Sequence, residues 1–229
     1  MRRIGLLGGM SWESSIEYER LLNQEVRRRL GGTHSADLIV RSYDFAEIEV
    51  LQASGRWDEA GDLLAGDAAL LQAAGAEVIA ICTNTMHLLA DRISAAIDVP
   101  LVHLADVTAA AITAAGLRTV ALLGTRYTME RDVHTSRLEG AGLTVLVPDE
   151  PDRTIVHDVI YDELVRGEVR EASRRAYVEV VDRLVERGAT GVVAACTEIE
   201  LLLGADDLSV PYFPTTQLHA AAIADAALT

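Results

Sequence analysis

Two short runs carry the side chains that could move protons. Cys82-Thr83-Asn84-Thr85-Met86-His87 follows an apolar stretch, Val78 to Ile81, that reads as a buried strand, and it opens a helical pattern carrying Leu88, Leu89, Ile93 and Ile97. Cys196-Thr197-Glu198 ends a second such stretch. Shifted by 113 positions, Gly75-Ala76-Glu77-Val78-Ile79-Ala80-Ile81-Cys82-Thr83 lies over Gly188-Ala189-Thr190-Gly191-Val192-Val193-Ala194-Ala195-Cys196, so Thr83 and Cys196 hold equivalent places. Each stands at the carboxyl end of a strand, where open α/β sheets bind their ligands. A thiol with its ordinary pKa of about 8.5 can serve as acid or base near neutrality. A site of pseudo-twofold symmetry suits inversion of a stereocentre, in which a proton leaves one face of Cα while another arrives on the opposite face. Because an amino-acid Cα–H is very weakly acidic, such a site must also stabilise a carboxylate that develops enolate character. Backbone amides and hydroxyls at strand and helix ends can do that.

The elements that must position these residues follow from apolar patterning. Arg3 to Leu7 reads as a first strand running into Gly8-Gly9-Met10-Ser11. Those glycines suit either a plain strand-to-helix turn or a close approach of backbone to ligand, and they lack the dinucleotide G-x-G-x-x-G spacing. A helix is expected from about Ser14 to Leu30, with Ser14 and Glu17 in capping-box spacing and Gly31-Gly32 as its stop. Asp37 to Ser42 is a second strand, Tyr43 to Gly55 a loop or short helix, and Trp57 to Ala74 a helix. After the first motif, Asp98-Val99-Pro100 leads into a short strand, Leu101 to Leu104, then a helix from Asp106 to Ala115.

The pattern then restarts. Arg118 to Thr125 resembles Arg2 to Gly9 at an offset of 116, Ser209-Val210-Pro211 echoes Asp98-Val99-Pro100, and Ala220 to Ile223 echoes Ala109 to Ile112. Ordered matches at offsets of 111 to 116 indicate an internal duplication. The expected fold is therefore α/β, with two pseudo-symmetric lobes, each a parallel sheet flanked by helices, and an active site in the cleft between them. The first lobe spans 1–104 and is completed by a C-terminal helix, 215–229; the second spans 105–214. In this frame Thr125 closes the second glycine turn as Gly9-Met10 closes the first, which places Met10 and Thr125 beside the ligand.

Composition narrows the chemistry. A formal net charge of −15 argues against nucleic acid and anionic membranes as partners. No apolar run approaches the ~18 residues of a membrane span, and the start, Met1-Arg2-Arg3, leads into a stretch too short for a signal-peptide core. Two cysteines fit a reduced cytoplasm better than a disulfide framework. All twenty basic residues are arginine. Without a lysine the chain can form neither the internal Schiff base of a pyridoxal-phosphate enzyme nor a Walker-type phosphate loop. With no close cysteine–histidine or His-x-x-His arrangement, no metal site is expected. The reading is of a chain that uses no cofactor and takes a small molecule as its partner.

Gly-Gly-Met-Ser-Trp-Glu at the start, Cys82-Thr83-Asn84-Thr85-Met86-His87 in the middle and Cys196-Thr197-Glu198 near the end resemble, over essentially the whole chain, the cofactor-independent aspartate/glutamate racemase family. The resemblance implies two α/β lobes, a homodimer, and one catalytic cysteine in each of a Cys-Asn-Thr and a Cys-Thr-Glu motif. Here Thr83, not Cys82, falls at the first cysteine position, as the internal repeat also requires, and Cys82 reads as a small core residue. This Thr/Cys pair is similar to a subgroup described as L-aspartate/L-glutamate racemases. The resemblance implies that Asn84, Thr85 and Thr197 hold the α-carboxylate or amino group, with Gln52 a further candidate. His87 and Glu198 could tune or relay protons. Arg41, Arg126, Arg131 and Arg166 are the arginines available for a side-chain carboxylate.

In the mechanism these residues suggest, a Cys196 thiolate removes the proton from the L-enantiomer and Thr83, directly or through a water, protonates the other face. Racemisation has an equilibrium constant of one, so a weak Thr83 must slow both directions alike. Two other readings stand beside it: a one-thiol decarboxylase or cis–trans isomerase of the same superfamily, and a two-lobed binding module without catalysis.

Overall fold

The structure, a computed structural model, describes residues 1–229 apart from the side chains at positions 132 and 133. Its chain divides into two compact units, Met1–His103 with His219–Thr229, and Leu104–Leu218.

In the first unit, β1 (Ile4–Gly8) leads to α1 (Trp12–Leu30), β2 (Leu38–Ser42), α2 (Phe45–Ala53), α3 (Trp57–Ala73) and β3 (Val78–Ile81). A 3-10 turn, Thr85–Leu89, and α4 (Ala90–Ser94) follow. The sheet is parallel, in the order β2-β1-β3. Every residue of β1 and β3 is buried, as expected for strands covered by helices on both faces. Alternation along the strands sorts them into two cores. Leu7, Ile79 and Ile81 pack with α3 residues such as Leu64 and Leu71, whereas Ile4, Leu6, Ala80 and Cys82 pack with Tyr18 and Leu22 of α1.

The second unit repeats the plan. It contains α5 (Leu104–Ala114), β4 (Thr119–Gly124), α6 (Arg126–Glu130), α7 (Asp132–Gly140), β5 (Thr144–Leu146), α8 (Asp152–Asp162) and a 3-10 turn at Leu164–Arg166. Then come α9 (Glu171–Glu186), β6 (Val192–Ala195), α10 (Ile199–Leu202), a 3-10 turn at Ala205–Asp207 and β7 (Tyr212–Pro214). The order is β5-β4-β6-β7, again parallel. One face carries Ala121, Leu123, Val192, Ala194 and Cys196 over α8 and α9; the other carries Val120, Leu122, Val193 and Ala195 over α5. The final helix, α11 (Thr215–Leu228), sets Ala220, Ile223, Ala224 and Ala227 into the Ile4/Leu6/Tyr18 core of the first unit. It is tied there by a bond from the Arg2 N–H to the Ala227 carbonyl at 2.7 Å.

Three local expectations need correction. Leu101 to Leu104 is not a strand: Leu101 makes one isolated parallel bridge to Ile79, and Leu104 already begins α5. The bridge neighbours β3 as β7 neighbours β6, so the duplicated strand survives in the first unit as a single contact. Second, α1 is capped by Ser11 rather than Ser14. The Ser11 hydroxyl accepts from the Ser14 N–H at 3.3 Å, which starts the helix earlier and buries Ser14. Third, the segment after the first motif winds as a 3-10 turn before it becomes α-helical.

Candidate active site

Strand register fixes the equivalence of the two motifs. Leu7 pairs with Ile81 and its counterpart Leu123 pairs with Ala194, so Thr83 and Cys196 each stand two residues beyond a matched strand position. Cys82, one residue earlier, lies wholly in the α1-facing core, and burial pushes its thiol well above the ordinary range. It is a packing residue with no route to a reaction.

Around Thr83 the first unit assembles most of its candidate residues. Thr83 and Thr85 are half-buried and Asn84 is buried. The Asn84 carbonyl accepts from the His87 N–H at 3.1 Å, while the His87 Nδ1 meets the Thr83 carbonyl oxygen at 2.7 Å. Gln52, buried on α2, donates from Nε2 to the Met86 sulfur at 3.1 Å. Met10 packs in the same core as Met86 and Tyr43. The turn that delivers Met10 depends on Gly9, whose φ of +79° and whose missing Cβ, which would lie 2.3 Å from the Tyr43 nitrogen, admit only glycine. Arg41, by contrast, is committed elsewhere: it pairs with Asp67 at 2.9 Å and stacks on the Tyr43 ring at 4.2 Å.

In the second unit Cys196 is buried, and its thiol donates to Glu198 Oε2 at 2.9 Å. Burial raises its pKa well above the ordinary value; the Glu198 carboxylate adds to the shift, both by its charge and by accepting the thiol proton. Backbone N–H groups of Glu198 and Ile199 pull weakly the other way. Burial and the carboxylate both favour the thiol over the thiolate at Cys196. Thr197 is buried, and its hydroxyl lies 3.4 Å from that of Thr216, whose N–H donates to Glu200 at 2.7 Å. Thr215 donates to the Ala194 carbonyl at 2.8 Å and so anchors the end of the strand that carries Cys196. Thr125 caps α6, accepting from the Thr128 N–H at 3.3 Å. Arg126 follows it with its guanidinium on the Thr154 hydroxyl at 3.0 Å. Arg131 is exposed, as is Arg166 at the end of the Leu164–Arg166 turn, a turn that packs on α10 just after the Cys196 motif.

Further residues take part as well. His103 and His219 pack against His87, His219 being the packed histidine expected on the final helix; Tyr18 bonds to His219, and Thr215 and Thr216 support Cys196 and Thr197. They come from elements distant in sequence and carry no local motif. Among the described residues no group of histidine, cysteine and carboxylate side chains is arranged to hold a metal ion. No helix among them is long and apolar enough to cross a membrane.

Comparison with known proteins agrees with this architecture. A crystal structure of a candidate Asp/Glu racemase from Yersinia pestis matches at 52% identity with a TM-score of 0.95, covering 100% of both chains. An aspartate racemase homologue from Pyrococcus horikoshii matches at 31% identity and a TM-score of 0.89, also over 100% of both chains. A glutamate racemase from Francisella tularensis, solved with D-glutamate, shares the fold at 14% identity, with a TM-score of 0.70 and coverage of 98% of this chain and 80% of its own. The family model for Asp/Glu/hydantoin racemases matches residues 7–223, and the chain belongs to that family.

Proposed function

We propose that the protein is a cofactor-independent racemase that interconverts L- and D-aspartate or glutamate, with Cys196 and Thr83 serving opposite faces of Cα. The observation that carries this reading is the thiol–carboxylate pair at 2.9 Å on the strand end equivalent to Thr83. The pair gives Cys196 what a resting thiol needs in order to act as a base. As the Cα proton moves to Sγ, the thiol's own proton moves to Glu198, so negative charge shifts from Glu198 to the carbanion without a free thiolate building up. Thr83 cannot rest as an alkoxide, so it gives its hydroxyl proton to the other face while taking one from a water, and the hydroxide left behind is neutralised through solvent by the proton that Glu198 gives up, which restores the carboxylate. Asn84, Thr85 and Thr197 supply hydroxyl and amide groups for the substrate carboxylate, with Met10, Gln52 and Thr125 shaping the remainder. The same reading includes the homodimer and the cytoplasmic setting expected above.

The test is isotope exchange. In D2O, without added cofactor, L-aspartate or L-glutamate should lose its Cα–H signal while the D-enantiomer appears, and Cys196→Ala should abolish both. The threonine at the first position also favours a second reading, one-thiol carbon-acid chemistry such as decarboxylation. Neither exchange nor inversion with either amino acid would move the assignment there.

A further inference from the structure

The residues behind Thr83 form a buried group of three histidines and a tyrosine, all within the first unit. In the Thr85–Leu89 turn the backbone N–H of His87 bonds to the Asn84 carbonyl, three residues back, while its side chain reaches the Thr83 carbonyl, four residues back, at 2.7 Å. A carbonyl oxygen only accepts, so Nδ1 of His87 must carry the proton. The ring is fully buried and meets His103 edge-on at 4.8 Å and His219 at 5.5 Å between centroids. His219 is itself held at both ends. Its Nε2 lies 2.8 Å from the Val102 carbonyl and must donate to it, so Nδ1, also 2.8 Å away, accepts from the Tyr18 hydroxyl. With one nitrogen on a carbonyl and the other on Tyr18, His219 has no bond through which to pass a proton towards His87. His219 is therefore arranged to hold the neighbouring ring in place.

We infer that His87 is a positioning residue for Thr83: its Nδ1–H clamps the Thr83 carbonyl and so fixes the backbone that aims the Thr83 hydroxyl, while His103 and His219, the latter held by Tyr18, pack against the imidazole and keep its orientation. The inference rests on the racemase reading, because it gives Thr83 a task that depends on orientation.

Asparagine and glutamine variants separate this role from packing. His87→Asn places an amide nitrogen near the site of Nδ1, and His87→Gln places it near Nε2. His87→Asn should keep inversion close to wild type. His87→Gln should lose about 10- to 100-fold in kcat for inversion with little change in KM, while Cys196-dependent exchange of the L-substrate Cα–H continues. Nitrogen-15 NMR of the wild-type protein should show His87 as the Nδ1–H tautomer, a readout that needs no substrate and no variant. Equal inversion by the two variants, or an Nε2–H tautomer at His87, overturns the inference alone. A wild-type protein with the Nδ1–H tautomer that neither exchanges nor inverts overturns the racemase reading, and the kinetic role of His87 with it.

Discussion

The two cysteines, both buried, have opposite value because they stand one residue apart in the duplicated strand pattern. Cys82 faces Tyr18 and Leu22 and has only apolar company, whereas Cys196 faces the core that also holds Ala194 and Leu123 and has a carboxylate within hydrogen-bond reach. Charge determines what Glu198 does to the thiol. A carboxylate anion next to Cys196 disfavours the thiolate, so Glu198→Gln removes that repulsion and should lower the thiol's pKa. A titration by ultraviolet thiolate absorbance or alkylation rate should show the midpoint moving to lower pH. The same variant should lose racemisation, about 100-fold being the scale of a removed proton acceptor. A gain in thiolate together with a loss of turnover would separate the acceptor role from mere thiol activation. Unchanged turnover would leave Glu198 without a part in the chemistry.

The elements that carry these residues depend on local backbone chemistry at a few positions. The turn between β1 and α1 is stabilised from both sides: the Ser11 hydroxyl caps α1, and the Gly9 N–H donates to the Ser15 hydroxyl at 2.6 Å. Ser11→Ala should cost about 1 kcal/mol of stability, the usual worth of an N-cap. Gly9→Ala should cost more, because left-handed backbone at a non-glycine residue costs about 1–3 kcal/mol and the added methyl would strike the Tyr43 backbone rather than a side chain that can move. Urea unfolding of the two variants measures both. A Gly9→Ala protein as stable as wild type would show that the turn relaxes freely.

At the scale of the whole molecule, the last helix makes the fold sensitive to acid. His219 is fully buried, and burial, with a smaller contribution from His103, holds its pKa down to about 4 from a free value of 6.5, although the Val102 bond works in the other direction. A group whose pKa is depressed by folding contributes stability that is complete above its unfolded pKa and disappears as pH falls through the folded one. Between about pH 6.5 and 4 the unfolded chain binds a proton that the native state refuses, so stability should fall by up to about 1.4 kcal/mol per pH unit from this residue. Urea midpoints taken across that window should show the decline in wild type and a shallower one in His219→Gln. Parallel slopes would mean that the acid sensitivity lies in other groups. Tyr18→Phe should be destabilised at neutral pH by about 1–3 kcal/mol, since it leaves the His219 Nδ1 buried without its donor.

How much of this was legible in the chain depends on the range over which each feature is encoded. The parallel sheets, the duplication and the equivalence of Thr83 with Cys196 were readable because apolar runs, glycine turns and repeat offsets are local, and strand alternation follows from them. The racemase family was readable for the same reason, since Cys196-Thr197-Glu198 and Thr83-Asn84-Thr85-Met86-His87 are contiguous. Tertiary structure alone decided three things. It reduced Leu101–Leu104 to a single bridge, because one parallel contact to Ile79 precedes a helix that already starts at Leu104. It buried Cys196, and burial is the larger cause that favours the thiol there, beyond the Glu198 carboxylate that the contiguous motif already placed near it. It brought His103 and His219 against His87, and Tyr18 onto His219 from 201 residues away. Side chains that meet only after the chain has folded leave no spacing to read.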